Sequence, residues 1–323
     1  ARNLLGLDTR SHLPNSPLDT IGCRHTVGLA DPIRSNEVPT GERLHDGLPQ
    51  ALDECIQFYG LRYFKVKVCG DHDQDLDRLG RMADLFNERC PNGFSISLDG
   101  NEQYRDLTLL NSLLEALRSR ENGERFVENV LYIEQPLGRD LALDASAASG
   151  IAALSELRPV IIDESDDLPD SFERATKLGY RGTSHKNCKG IFKSLRNLSL
   201  AKKLNTETGG ENYFLSAEDL ANTAVLPLQQ DLSTVAALGI PHAERNGHHY
   251  FRCLDHLPRD EAEETAAKHE SLYTRRGDSI GLDVTNGLID VSSLRCAGYG
   301  YASRVDVESR TPLDEWDFAQ LGT

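Results

Sequence analysis

Positive charge is what this chain has too little of. Its 323 residues carry 35 Lys and Arg against 51 Asp and Glu, a formal net charge of -16. Phosphate binding needs clustered cationic side chains, so the composition argues against a nucleic-acid surface. Long apolar runs are missing as well. No stretch approaches the roughly 18 consecutive apolar residues of a membrane helix, and the first residues lack the basic, apolar and small-residue order of a secretory signal. The seven cysteines (23, 55, 69, 90, 188, 253 and 296) are odd in number and without CxxC spacing, which supports neither a disulfide framework nor a zinc site. These absences leave a cytoplasmic protein as the expectation. Internal repeats and low-complexity segments are lacking too. No initiator Met heads the chain, so further residues are expected upstream.

What is present is an alternation. Eight short β-rich runs, at 25–29, 64–68, 94–99, 130–134, 160–163, 182–186, 213–217 and 240–244, are separated by longer helical patterns. Between the second and third, Leu76, Leu79, Met82, Ala83 and Phe86 recur at helical spacing with charged residues on the other face. Further helical stretches are expected over 48–58, 107–117, 145–157, 171–178, 190–204 and 228–238. Such βα units build a parallel sheet, and eight of them imply a closed α/β barrel with its site at the C-terminal ends of the strands. The tail differs: 255–268 is strongly charged, and 280–291 reads as a hairpin around Asn286-Gly287. The expected division is a barrel over 1–254 and an appendage over 255–323.

Chemistry gathers at the expected strand ends. Three apolar runs finish in a carboxylate, at Asp99, Glu134 and Asp163, the last followed by Glu164. Each alone would ordinarily cap the next helix. Three in successive units are hard oxygen ligands suited to Mg2+, with positions left for water and a substrate carboxylate. In Phe-Lys65-Val-Lys67-Val the period of two puts both lysines on one face. Taken alone they read as solvated lysines. In a barrel they point into the site, where neighbouring cations lower an ammonium's pKa toward a useful base. Lys186 ends the sixth run and lies roughly opposite, so one base could remove a proton from one face of a substrate and another return it to the other. His185 should point away by alternation, Glu244 ends the eighth run near the site, and Cys188 reads as a buried thiol. His248 and His249 follow Arg245-Asn-Gly247 after the eighth run as a loop pair that could touch substrate but is more often simply exposed.

Together, Lys65-x-Lys67, Asp99-x-Asn101, Glu134-Gln-Pro136, Asp163-Glu-Ser165 and Lys186 with Lys189-Gly190 behind it resemble the enolase superfamily, within it the muconate lactonizing enzyme branch of the mandelate racemase/muconate lactonizing enzyme family. The resemblance spans about 60–250 and extends to Asn286-Gly287 and Gly298-x-Gly300. It implies a TIM-type (β/α)7β barrel, Mg2+ held by Asp99, Glu134 and Asp163 or Glu164, and Lys67 and Lys186 as paired acid and base with Lys65 beside them. Asn101 and Glu244 would contact substrate. Two departures stand out: a single glycine follows Lys189 where the family often has two, and no α+β capping domain precedes the barrel. The segment at 1–7 resembles the join between cap and barrel, and the tail's hairpin would pack on such a cap.

The implied reaction is Mg2+-dependent removal of the proton beside a substrate carboxylate through an enediolate, followed by racemisation, epimerisation, cycloisomerisation or dehydration. Two alternatives remain at this point: a catalytically silent carboxylate- or metal-binding barrel, and a Schiff-base lysine barrel of the aldolase type. The partners expected are a small carboxylate substrate and, at most, further copies of the chain, with no nucleic acid and no membrane.

Overall fold

The structure, a computed structural model, describes residues 9–218, 222–247, 250, 252–303 and 307–321. The pair His248 and His249 and the segment 1–7 lie outside the described residues.

Eight parallel strands form in chain order: β1 (Thr20–Val27), β2 (Tyr63–Lys67), β3 (Ser95–Asp99), β4 (Val130–Glu134), β5 (Val160–Ile162), β6 (Gly182–His185), β7 (Phe214–Ala217) and β8 (His242–Arg245). Helices occupy every connection: α1 (Leu52–Tyr59), α2 (His72–Arg89), α3 (Leu107–Arg118) with α4 (Gly123–Glu128), α5 (Arg139–Ala142) with α6 (Ala148–Leu157), α7 (Ser171–Lys177), α8 (Ile191–Thr208) and α9 (Leu226–Leu238). Neighbouring strands pair in sequence from β1 to β7, and β8 returns to pair with β1. Between β7 and β8 the described residues show one isolated parallel bridge, Glu218 with Glu244. This is the (β/α)7β order expected from the sequence.

The elements form for local reasons. Asp71 caps α2 by accepting the Gln74 amide, and Arg89 sits in its last turn against the helix dipole. The helix buries Leu79, Met82, Ala83 and Phe86, and Phe86 stacks on Phe64 of β2 with ring centroids 4.4 Å apart. On β2 the alternation therefore sends Phe64 and Val66 outward into the helix layer and Lys65 and Lys67 inward.

The barrel interior is unusually polar. Barrels of this kind normally fill their lumen with branched apolar side chains. Here the buried Arg24 guanidinium lies 5.5 Å over the Tyr132 ring and donates to Ser216 Oγ at 2.9 Å, to the Ala217 carbonyl at 2.8 Å and to His242 Nδ1. Tyr132 and Ser216 share a hydrogen bond of 2.6 Å, and Tyr63 stacks on His242 at 4.8 Å. Side chains from β1, β4, β7 and β8 thus make a hydrogen-bonded floor beneath the strand ends, with Tyr63 of β2 stacked on it.

After β8 come α10 (Arg259–Lys268), the antiparallel pair β9 (Tyr273–Arg276) and β10 (Ser279–Leu282), and β11 (Leu288–Asp290). The sequence points to a hairpin centred on Asn286-Gly287, but the hairpin lies earlier, and the Asn-Gly pair makes a tight turn with Thr285 and Leu288 bridged across it. The reason is a better partner: β11 pairs antiparallel with Thr20, Ile21 and Gly22 at the start of β1, at the end of the barrel opposite the strand C-termini. The start of β1 is also five residues earlier than the sequence pattern indicates. Gly22 and Arg24 occupy inward positions there and break the apolar alternation.

Candidate active site

The sequence-predicted lysines and carboxylates meet at the C-terminal mouth of the barrel. Lys65 is at its centre, 1% exposed, with its Nζ 2.5 Å from Glu244 Oε2, 2.9 Å from Asp99 Oδ2, 3.1 Å from Glu134 Oε1 and 3.6 Å from Glu218 Oε2. Lys67 donates to the same Asp99 Oδ2 at 2.5 Å and to Asn101 Oδ1, and it is the more exposed of the two, at 22%. Across the mouth, Lys186 reaches Glu218 Oε2 at 2.7 Å and Asp163 Oδ2 at 2.8 Å. Lys189 holds the other Asp163 oxygen at 2.8 Å together with the carbonyls of Asp163 and Ser184. Lys67, Asp99, Lys65, Glu218, Lys186, Asp163 and Lys189 therefore form one continuous chain of ion pairs from β2 to the turn after β6.

Local structure aims these groups. Gln135 accepts the amides of Asp163 and Ser165 at 2.8 and 3.1 Å and donates to Leu137 O and Ser165 Oγ, which fixes the ends of β4 and β5 relative to each other. Gly100 passes so close to this segment that a Cβ there would lie 2.6 Å from Pro136 Cα. Asn101, at φ 39°, donates its own amide to Asp99 Oδ1 and its side-chain amide to Glu164 Oε1 at 2.9 Å. On the eighth strand, Glu244 Oε1 accepts from Thr26 Oγ1 at 2.7 Å.

The electrostatics follow from burial and crowding. For Asp163, burial opposes ionisation, but Lys189, Lys186 and Lys65 outweigh it and hold the carboxyl well below the usual range. Asp99 is lowered in the same way, with Lys65 and Lys67 overcoming burial. Glu134 goes the other way: burial pushes it well up, and Asp99, Asp163 and Glu244 add to the rise against Lys65. Glu218 is likewise raised, by burial first and then by Glu244. Burial favours the neutral amine of Lys65 and Lys186, yet their carboxylate neighbours win and hold both protonated above the usual lysine range. For these two lysines the expectation of a depressed ammonium is corrected, because each lies against carboxylates, Lys65 at 2.5 Å from Glu244 and Lys186 at 2.7 Å from Glu218.

The carboxylates divide into two groups. One oxygen each from Glu134, Glu218 and Glu244 lie within 4.8 Å of one another, an arrangement able to hold a metal ion. Asp99 and Asp163 flank it and are engaged by lysines, while Glu164 turns toward Asn101. Glu134 is fully buried; the Lys65 ammonium lies 3.1 Å from its Oε1, while its Oε2 accepts no hydrogen bond among the described residues. An all-oxygen donor set with such an unpartnered carboxylate oxygen suits a hard divalent cation.

Glu218 and Lys189 are the site residues that the sequence reading passes over. Glu218 had a signal, since it lies two residues beyond Ser216 and so shares its inward face. Lys189 is three residues past Lys186 in a short 3-10 turn, Asn187–Lys189, whose period of three puts both lysines on one side. The same turn exposes Cys188, so the reading of a buried thiol is corrected. His185 points out of the barrel, buried against α8, where its Nδ1 shares a 2.6 Å hydrogen bond with Ser194 Oγ.

No protein-family model matches the chain, and no curated protein matches it either. Solved structures do. An isomerase from Streptomyces coelicolor A3(2) superposes with a TM-score of 0.51 at 15% identity, covering 88% of this chain and 63% of that one. A mandelate racemase/muconate lactonizing enzyme from Roseiflexus sp. gives a TM-score of 0.50 at 16% identity over 87% of this chain and 70% of that one. A dipeptide epimerase from Enterococcus faecalis V583 gives 0.49 at 15% identity over 73% of this chain, which spans 60% of that protein's length. The barrel fold is therefore the one that the enolase-superfamily resemblance implied, and it is shared with a mandelate racemase/muconate lactonizing enzyme. Among the described residues no helix is long and apolar enough to cross a membrane.

Proposed function

We propose that this chain carries the barrel part of a Mg2+-dependent enzyme that removes the proton beside a substrate carboxylate, leading to isomerisation (racemisation, epimerisation or cycloisomerisation) or to loss of water. The observation that supports it is the ion-pair chain with Lys67 at one end and Lys186 toward the other, both at the mouth formed by the strand C-termini. A proton beside a carboxylate is too weakly acidic for an amine unless positive charge is already in place for the charge that develops. Glu134, with Asp99 and Asp163 on the flanking strands, would hold the ion. When bound, Mg2+ would supply that positive charge against the substrate carboxylate.

The chain's own residues do the rest. Lys67 and Lys186 approach from opposite sides of the barrel, so one takes the proton at its Nζ and the other delivers one. Lys189 pins Asp163 and keeps its carboxylate turned into the mouth. Lys65, enclosed by carboxylates, contributes fixed charge. A Schiff-base mechanism would leave the strand-end carboxylates Asp99, Glu134 and Asp163 without a role. The substrate is a small carboxylate.

The test is solvent deuterium entry at the α-carbon across a panel of acid sugars, dipeptides and hydroxy acids in the presence of Mg2+. Exchange with at least one class is expected. Lys67→Met and Lys186→Met should each lower it by a factor on the order of 100 or more, the loss expected of a general acid or base. Mg2+-dependent ligand binding with no exchange from any substrate would point instead to a catalytically silent barrel.

A further inference from the structure

Two carboxylates at the last seam of the barrel take no part in the proposed proton transfer. Glu218 follows β7, Glu244 belongs to β8, and both are buried. One oxygen of each, with one of Glu134, completes a set within 4.8 Å. Oxygens on opposite sides of a Mg2+-sized ion lie about 4.2 Å apart, and about 5 Å across Ca2+, so this spacing accepts a divalent ion with little movement. The Lys65 ammonium now sits among the three, and Thr26 Oγ1 orients Glu244 from β1.

Two independent observations say that the ammonium does not satisfy this cluster. Glu134 is completely buried, and its Oε2 has no hydrogen-bond donor among the described residues. Buried carboxylate oxygens otherwise find a donor or a cation. Charge is also out of balance: Asp99, Glu134, Asp163, Glu164, Glu218 and Glu244 face the four ammonium groups of Lys65, Lys67, Lys186 and Lys189, leaving an excess of two negative charges when all are ionised. The buried Arg24 guanidinium in the floor below offsets part of that excess, and a divalent ion would cancel the rest.

We infer that Glu134, Glu218 and Glu244 form a divalent-cation seat whose resident competitor is the Lys65 ammonium. The seat rests on the proposed function only in taking Glu134 as a ligand. Entry of the ion is an exchange of cations: the carboxylates stay, the ammonium leaves with its proton, and no covalent bond changes. Removing Lys65 therefore strengthens ion binding. A seat reaching β7 and β8 also differs from one confined to the ends of β3, β4 and β5.

Mn2+ alone, titrated into the whole chain and followed by calorimetry or by loss of its free-ion magnetic resonance signal, tests this. Glu218→Gln and Glu244→Gln should each weaken Mn2+ binding at least tenfold, and Lys65→Met should tighten it at least tenfold. Binding seen only in Lys65→Met also supports the seat, because the ammonium then outcompetes the ion in the native chain. If Glu218→Gln and Glu244→Gln stay within twofold of the native affinity while Asp99→Asn and Asp163→Asn weaken it, the seat is overturned and the strand-end metal site of the proposed function stands. The reverse pattern keeps the seat and removes Asp99 and Asp163 as ligands. Failure of both the native chain and Lys65→Met to bind Mn2+ overturns it. Should Lys65→Met fold poorly, the two Glu→Gln variants decide the matter, since both retain Lys65.

Discussion

Gln135 shows how much of the site is built by uncharged residues. It is buried, adopts φ 35°, and spends its whole side-chain amide on tying β4 to β5. His185 is its counterpart on the outer side of β6. Burial, with Lys189 nearby, pushes this imidazole down to about 3 from its ordinary value of 6.5. Its folded value is depressed, so the unfolded chain binds the proton more readily, and the stability it contributes is present above pH 6.5 and lost as pH falls toward 3. Thermal melts should therefore show the midpoint declining between pH 6.5 and 4.5, and His185→Gln should flatten part of that decline. An equal decline in native and variant would remove His185 as a contributor. At this scale the sequence is legible where period two applies: Lys65, Lys67, Asp99 and Glu134 all project as their strand positions dictate. Lys189 was not legible, because its placement depends on a 3-10 turn that leaves no periodic signal in three residues.

At the scale of elements, all eight strands and most helices are readable because each buries a face against the next layer. The exceptions have specific causes. The first residues of β1 carry Gly22 and Arg24 inward, and the tail's pairing is decided by the edge that β1 offers to β11, a long-range choice invisible to local pattern. The junction that accommodates this tail is tight. Gly60 ends α1 in a left-handed conformation at φ 64°, and a Cβ there would fall 2.8 Å from Asn286 Cα, while the Gly287 amide donates to Tyr59 O at 2.7 Å. Gly60→Ala thus meets both backbone cost and a clash with main chain, and should destabilise the protein by about 1–3 kcal/mol. Urea unfolding at constant pH measures it, and a change below about 0.5 kcal/mol would mean that the turn shifts freely.

Across the whole molecule the barrel is unevenly closed. From β1 to β7 each strand shares a run of ladder pairs with the next, but β7 and β8 meet in the described residues through the single Glu218–Glu244 bridge. Like charges directly opposite each other work against pairing, and local opening follows the weakest contacts. Backbone amides of β7 and β8 should therefore exchange with solvent faster than those of β3 and β4, and hydrogen exchange read by mass spectrometry checks it. Uniform protection around the barrel would show that packing by α8 and α9 closes the seam unaided.

The same geometry gives Lys65 a second duty. One ammonium touches carboxylates borne by β3, β4, β8 and the end of β7 while itself belonging to β2, so it works as a rivet through the mouth as well as a charge within it. Its cation is what allows two acids to face each other where the ring of strands meets its own beginning. A rate measured on any Lys65 variant consequently reports the shape of the ring as much as the chemistry inside it, and the two part only when the melt is recorded alongside the assay.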